Sequence, residues 1–455
     1  MVGRVSALAG LGVTGPVGQE VRDLDRGDAG IRLHEFIREL YPICRSLTGE
    51  GVRATLRRVG ARIPLEIHEV ATGTPVFDWI VPREWNIRDA YITGPSGERV
   101  LSFADSNLHV MGYSVPVHGR MSLAALREHL FTLPDRPEWI PYRTSYYAEN
   151  WGFCLADSQL QGLEDGEYEV CIDSTLADGH LTYGECVLPG EEDDEVLISA
   201  HVCHPALCND NLSGVAIATF LAHALGSASR RYTYRFLFIP GTIGSITWLS
   251  TNPEAVSRIR HGLVLTCVGD GGPSTYKRSR RGDSEIDQVV EYVLAASGNP
   301  FEVEDFSPWG YDERQYCSPG INLPVGCLMR TPHGRFPQYH TSADDLDFVS
   351  SAGLADSFAK CLSAFDLLER NGVFLNLSPM GEPQLGRRGL YGAVGGQPDK
   401  RRIEMAMLWV MNMSDGKHSL LEVAGRSGID FDSIAEAAQL LYDHDLLERT
   451  ARAAP

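Results

Sequence analysis

Val196-Leu197-Ile198-Ser199-Ala200-His201-Val202-Cys203-His204-Pro205, followed by Asn209-Asp210-Asn211-Leu212-Ser213-Gly214, is the stretch that decides the fold. Val196–Ala200 is a short apolar run of the kind a fully buried strand shows, and the apolar pattern of Leu212–Leu225 is helical. The same rhythm continues downstream, with strands predicted at Arg235–Ile239 and Leu263–Val268 and helices at Asp287–Ser297 and Ala352–Glu369. Strands alternating with helices imply an α/β fold, a mostly parallel mixed sheet covered by helices. Ligands bind such sheets at the carboxyl ends of the strands. His201, His204 and Asp210 fall at one of those ends, ahead of a helix whose N-terminus favours the Asp210 charge by roughly 0.3–1 kcal/mol.

Imidazole and carboxylate are zinc-type donors, and a strand end and a helix start can hold them rigidly. A loop with an Asx cap and two incidental histidines is the competing reading of this segment alone. Two later features add to it: Asp270 follows the strand ending at Val268, and His340 precedes the acidic turn Asp344-Asp345.

Upstream, residues 31–60 read as helical and 65–72 alternate like a half-buried strand. Between 76 and 166 the texture changes to aromatics, prolines and short strands, which suggests an inserted α+β lobe splitting a domain of 31–75 and 167–385. Residues 1–30 read as a flexible tail and Gly-rich 386–398 as a linker. Three short helical patterns in 399–455 suggest a small winged-helix domain.

The formal charge of −20 argues against general nucleic-acid affinity. The third C-terminal helix has no Lys or Arg between 430 and 445, so phosphate would repel it. No segment approaches the roughly 20 apolar residues of a membrane span. Ten scattered cysteines without CxxC pairs suit thiols in a reducing cytoplasm. No nucleic-acid or membrane partner is therefore expected, and a homo-oligomer is compatible.

The chain resembles the co-catalytic zinc aminopeptidases, in particular a bacterial branch with an aminopeptidase-like domain, an inserted lobe and a C-terminal winged helix. The resemblance rests on Tyr41–Gly49, Pro82–Ile87, Trp151–Cys154, His201–Pro205, Asn209–Gly214, Gly310–Gln315 and Tyr339-His340-Thr341. It implies that His201 binds one zinc, that Asp210 bridges two, and that Asp270 and His340 hold the other. A cis peptide often follows the bridging Asp in this family, which makes Asp210-Asn211 a candidate. The family's second residue after the zinc His is an Asp that orients the imidazole; here it is Cys203, which makes His204 a ligand or a substrate contact. Asn211, Arg314 and Tyr339 are expected to touch substrate.

One departure bears on chemistry. The branch typically carries Pro-Glu-Thr-Ile-Gly, where Glu is the general base, and this chain reads Pro240-Gly241-Thr242-Ile243-Gly244. A positioned base contributes roughly 10²–10⁴-fold. Three readings stay open: Glu313 or Asp312 substitutes, a single zinc suffices, or the domain has turned to non-hydrolytic chemistry or ligand binding. Glutaminyl cyclases, similar in fold with one zinc, illustrate the cyclase- or transferase-like option. The leading expectation is zinc-dependent hydrolysis of an amide bond in a small peptide or biosynthetic conjugate, with one or two zinc ions. The basic run Lys277-Arg278-Ser279-Arg280-Arg281 reads as a solvated loop or an anion receiver, and the tryptophans of the inserted lobe as core or pocket lining.

Overall fold

In the computed structural model the described residues are 26–391 and 398–450. They form two compact units, one drawn from residues 26–294 with Asn299–Cys361 and the other mainly from Leu362 onward.

The larger unit is built on an eight-stranded sheet: β1 Glu66–Ala71, β2 His180–Leu188, β3 Glu195–His201, β4 Thr233–Ile239, β5 Ile259–Leu265, β6 Ser274–Lys277, β7 Phe301–Glu304 and β8 Val325–Met329, in the order β1-β2-β4-β3-β5-β8-β6-β7. Strands β4, β3, β5 and β8 run parallel, as do β6 and β7 with each other, while β1 on β2, β2 on β4 and β6 on β8 pair antiparallel. Every residue of β3 is buried, as expected of a central parallel strand covered on both faces. Its two ends are polar for different reasons. Glu195 forms buried ion pairs with Arg235, and Arg258 reaches the same carboxylate. His201 ends the strand opposite Ile239, so the register sets Gly241 two residues beyond the His201 position.

The helix Ser213–Ser227 follows the site loop, and ten of its residues are buried, Ser213 and Gly214 among them. The helix Arg26–Leu40 packs on it, with Phe36 against Phe220 at 6.2 Å. That helix already contains residues 26–30, which were expected in the N-terminal tail; residues 1–25 lie outside the described residues.

The inserted lobe has its own four-stranded antiparallel sheet of 99–102, 84–93, 167–177 and 117–122. Glu167–Ala177 pairs along most of the length of Glu84–Thr93, so the lobe runs to 177 rather than ending at 166. The alternation of that strand is equally compatible with either sheet, and only its partners distinguish them.

In the second unit the helices Pro398–Met413, Leu420–Ser427 and Phe431–Asp443 accompany a three-stranded sheet. Ser419 and Glu422 close a capping box at the start of the middle helix, and Asp430 caps the last. Val373–Asn376 is the central strand of this sheet, between Asp415–Ser419 and Leu447–Arg449, so the module begins well before the expected linker. A four-residue strand carries too little periodicity to be seen in sequence. Residues 392–397 of that linker lie outside the described residues. No described helix is long and apolar enough to cross a membrane, and all ten cysteines are free thiols.

Candidate metal centre

Asp210 is the hub. It is buried, with a cis peptide to Asn211, and its backbone N–H donates to Asp344 Oδ2 at 2.9 Å. His201 Nε2 lies 2.9 Å from Asp210 Oδ1, His340 Nε2 3.0 Å from Oδ2, and His204 Nε2 3.9 Å from Oδ2. Burial pushes the Asp210 carboxyl upward, but His204, His201 and His340 outweigh it and hold the group well below the usual carboxylate range. Burial pushes His204 down to about 3, against the pull of Asp210. Donor atoms of His201, His204 and Asp210 all lie within 4.8 Å of one another. Two imidazoles and a carboxylate, with a third imidazole on the same carboxylate, are a donor set that fits zinc.

Second contacts fix these groups. Asn211 Nδ2 donates to Leu265 O at 2.9 Å, and its Oδ1 accepts from Gly214 N–H at 3.2 Å, which sets the amide's orientation. The same NH₂ faces His201 Nδ1 at 3.2 Å, so Nδ1 accepts and the ring proton resides on Nε2, toward Asp210. Asn211 is thus a positioning residue for His201 rather than the substrate contact expected of it. Asp344 accepts from the backbone of both Asn209 and Asp210, and burial raises its carboxyl to about 8.

Asp270 does not join the metal grouping. Its carboxylate accepts from Asn209 Nδ2, Gly272 N–H, and both the N–H and Oγ1 of Thr331, at 2.6–3.1 Å. With four donors engaged it anchors the Asn209 turn, which corrects its expected ligand role. Glu313 is equally occupied: it forms a buried ion pair with Lys277 at 2.9 Å and accepts from Tyr311 N–H. That pairing, with both side chains almost fully buried, removes it as a free base. It also takes the first cation of the basic run; Arg278 pairs with Glu291 and Asp305, and Arg280 and Arg281 bond Asn322.

Asp312 is different. Oδ1 accepts from Thr242 N–H at 2.7 Å and Ser245 Oγ at 3.0 Å, while buried Oδ2 has no partner. Burial raises the carboxyl to about 6, with nearby His201 and the hydrogen bonds from Thr242 and Ser245 opposing that rise. Arg314 reaches Thr242 Oγ1 at 3.4 Å, and Tyr339 stacks on His340 at 3.9 Å.

Tyr311 was not singled out in the sequence, although it lies inside the Gly310–Gln315 motif. Its ring stacks on His201 at 3.6 Å and 15°, and its hydroxyl is 3.3 Å from His204 Nε2. A Cβ placed on Gly241 would meet Tyr311 Cε1 at 2.6 Å. The tyrosine ring therefore occupies the space that a side chain at 241 would enter. Only glycine at 241 could have signalled this, and glycine is silent about what fills its place.

Residues 34–371 match the family described as a domain of unknown function, DUF4910, and 372–449 match a winged helix-turn-helix family. The chain belongs to the DUF4910 family. A Clostridium acetobutylicum protein, 54% identical over 421 residues, covering 92% of this chain and 97% of its own, is named for polysaccharide biosynthesis and an aminopeptidase-like domain. A crystal structure from the same organism, named as a peptidase, is 51% identical with a TM-score of 0.89, covering 95% of this chain and 99% of that one. The zinc aminopeptidase BSAP of Bacillus subtilis matches at TM-score 0.54 and 12% identity, over 74% of this chain and 93% of its own. At that identity the likeness concerns fold alone. This DUF4910 chain thus has the aminopeptidase-like α/β fold followed by a winged helix.

Proposed function

We propose that the protein is a zinc-dependent amidohydrolase acting on a small amide-bearing biosynthetic conjugate, with one ion held by His201, His204, Asp210 and His340. A bound zinc ion supplies Lewis-acid polarisation of the scissile carbonyl. The single-ion form is favoured because Asp270 is engaged elsewhere and Thr242 stands where a second carboxylate ligand would be needed.

The observation that carries the reading is Asp312. Its Oδ2 is buried and free of partners, and its raised pKa of about 6 lies close to what a proton carrier at neutral pH requires. In this reading Asp312 takes the proton of the attacking water at Oδ2 and returns it to the departing nitrogen. Thr242 N–H and Ser245 Oγ keep its other oxygen fixed throughout. The Tyr311 hydroxyl, beside His204, donates to the carbonyl oxygen as charge builds there. The polysaccharide-biosynthesis name of the Clostridium relative supports a sugar-linked conjugate over a protein substrate.

The test is metal analysis with Asp312→Asn. Purified wild type should hold one zinc equivalent after dialysis. Asp312→Asn should keep that zinc while amide turnover falls about 10²-fold or more. Unchanged turnover in a zinc-replete Asp312→Asn protein would remove Asp312 from the chemistry, and absence of zinc from wild type would sink the proposal.

A further inference from the structure

Residues 140–147 of the inserted lobe run alongside the His340 loop. Tyr142 N–H donates to His340 O at 2.8 Å, Ser342 N–H donates to Ile140 O at 2.8 Å, and Pro141 pairs with Thr341 as an antiparallel bridge. The Tyr142 ring sits edge-on to His204 at 5.2 Å and to His340 at 5.0 Å. Beyond it the segment emerges at Tyr146 and Tyr147, which are half exposed. Tyr147 meets Trp79, on the short hairpin of Pro75–Val76 and Trp79–Ile80, at 5.8 Å and an angle of 52°. Tyr146 is close enough to Asp210 for the carboxylate charge to act on it. A row of aromatic rings thus leads outward from the metal centre.

Two facts separate this row from an ordinary scatter of surface aromatics. Bulky residues rarely hold positive φ, and such outliers gather at ligand clamps. Phe77 (φ 54) and Tyr146 (φ 48) both do so on this rim, as Ala206, Thr242, Cys267 and His340 do around the site, making six of the nine such residues described. The ring geometry is also one-sided. Trp79 and Tyr147 pack against each other at 5.8 Å and 52° and stay 42% and 50% exposed, so the pair presents outer faces rather than a slot between its rings. A pyranose lays its apolar C–H face on such a ring while its hydroxyl edge meets the neighbouring phenol groups. Near the row, Arg83 is already paired with Glu149, which leaves that cation engaged rather than offered to a phosphate.

We infer that Trp79, Tyr146 and Tyr147 form a saccharide subsite that stacks a pyranose ring of the substrate while its amide reaches the metal centre. The inference rests on the amidohydrolase reading for its substrate but not for its measurement. The probe is diacetylchitobiose, an N-acetylated disaccharide, followed by tryptophan fluorescence and ligand-observed NMR. Wild type should bind it, and Trp79→Ala and Tyr147→Ala, both at exposed positions, should weaken binding at least tenfold while zinc content stays unchanged. Asp210→Asn should lose zinc and turnover yet retain disaccharide binding, so the subsite and the hydrolytic reading can fail separately. Binding unaffected by Trp79→Ala would overturn the subsite. Failure to bind the disaccharide, or Trp79-dependent binding of AMP or an aromatic dipeptide in its place, would overturn the saccharide assignment.

Discussion

The exchange of space between Gly241 and Tyr311 can be measured without knowing the substrate. An ordinary contact between carbon atoms is about 3.5–4 Å. A Cβ at 241 would lie 2.6 Å from Tyr311 Cε1 and 3.0 Å from its hydroxyl, so the ring must move by about 1 Å or abandon its stack on His201. Overpacking of this kind costs roughly 1–3 kcal/mol, and that is the expected loss for Gly241→Ala. Tyr311→Ala should cost more, roughly 3–5 kcal/mol, by analogy with other truncations of large aromatic side chains. In the double variant the methyl group enters vacated space. Gly241 is not among the positive-φ glycines, so alanine suits its backbone. There Gly241→Ala should be neutral or stabilising by roughly 0.4–1 kcal/mol, through the unfolded chain. The two effects should therefore couple by at least about 1 kcal/mol, read as displaced urea midpoints at constant slope. Additive effects would refute the steric account, as would a stabilising Gly241→Ala in the wild-type background. The same geometry predicts that Gly241→Glu alone does not restore a general base, because the glutamate stem has no room while Tyr311 stays.

Other outcomes follow from the same contacts. Glu313→Gln leaves Lys277, 3% exposed at its side chain, without its counter-ion, and should cost roughly 3–5 kcal/mol of stability; a fully stable but inactive variant would return Glu313 to the catalytic candidates. Asp312 has a folded-state pKa of about 6, above its ordinary 3.8, so its stabilising contribution is present at low pH and lost as pH rises through about 6. Asp312→Asn should therefore gain stability relative to wild type as pH rises from about 4 to about 6 and hold that gain above it, and a flat difference in denaturation midpoints from pH 4 to 6 would contradict the assignment. In the winged-helix unit Asp432 pairs with Arg370 and Asp430 with Arg402, on an acidic final helix. A gel shift at low salt should show no tight duplex binding, and a retarded complex at nanomolar protein would overturn that.

The sequence revealed the architecture where its patterns were long. Val196–Ala200 and Leu212–Leu225 located the central strand and the helix behind the site within a residue or two. It failed where only partners decide. Glu167–Ala177 alternates like any half-buried strand, and nothing local assigns it to the lobe sheet. Asp270 illustrates the same limit at the site: strand-end position and chain order suggested a ligand, but Thr331, some 60 residues away in sequence, takes two of its bonds. Glu313 and Asp312 are adjacent acids with similar prospects in sequence. Lys277 and Tyr311 N–H engage one, and Thr242 and Ser245 leave an oxygen of the other bare.

Cys203 and Asn211 bear on metal affinity together. A carboxylate behind a zinc histidine accepts from one ring nitrogen and frees the other for metal. Here Cys203 Sγ accepts from Gly241 N–H at 3.2 Å, and the group facing His201 Nδ1 is the donating amide of Asn211. The arrangement favours a proton on Nε2, the nitrogen nearest Asp210, so metal binding there must first displace it. Asn211→Asp would convert that donor to an acceptor, moving the proton to Nδ1, although it sacrifices the bond to Leu265 O. Partners of this kind change metal affinity by roughly 10–100-fold. Zinc affinity of Asn211→Asp, measured by chelator competition, should therefore rise about 10-fold even as thermal stability of the zinc-free protein falls. If affinity drops along with stability, the amide is helping the ligand set rather than restraining it, and the tautomer argument is wrong.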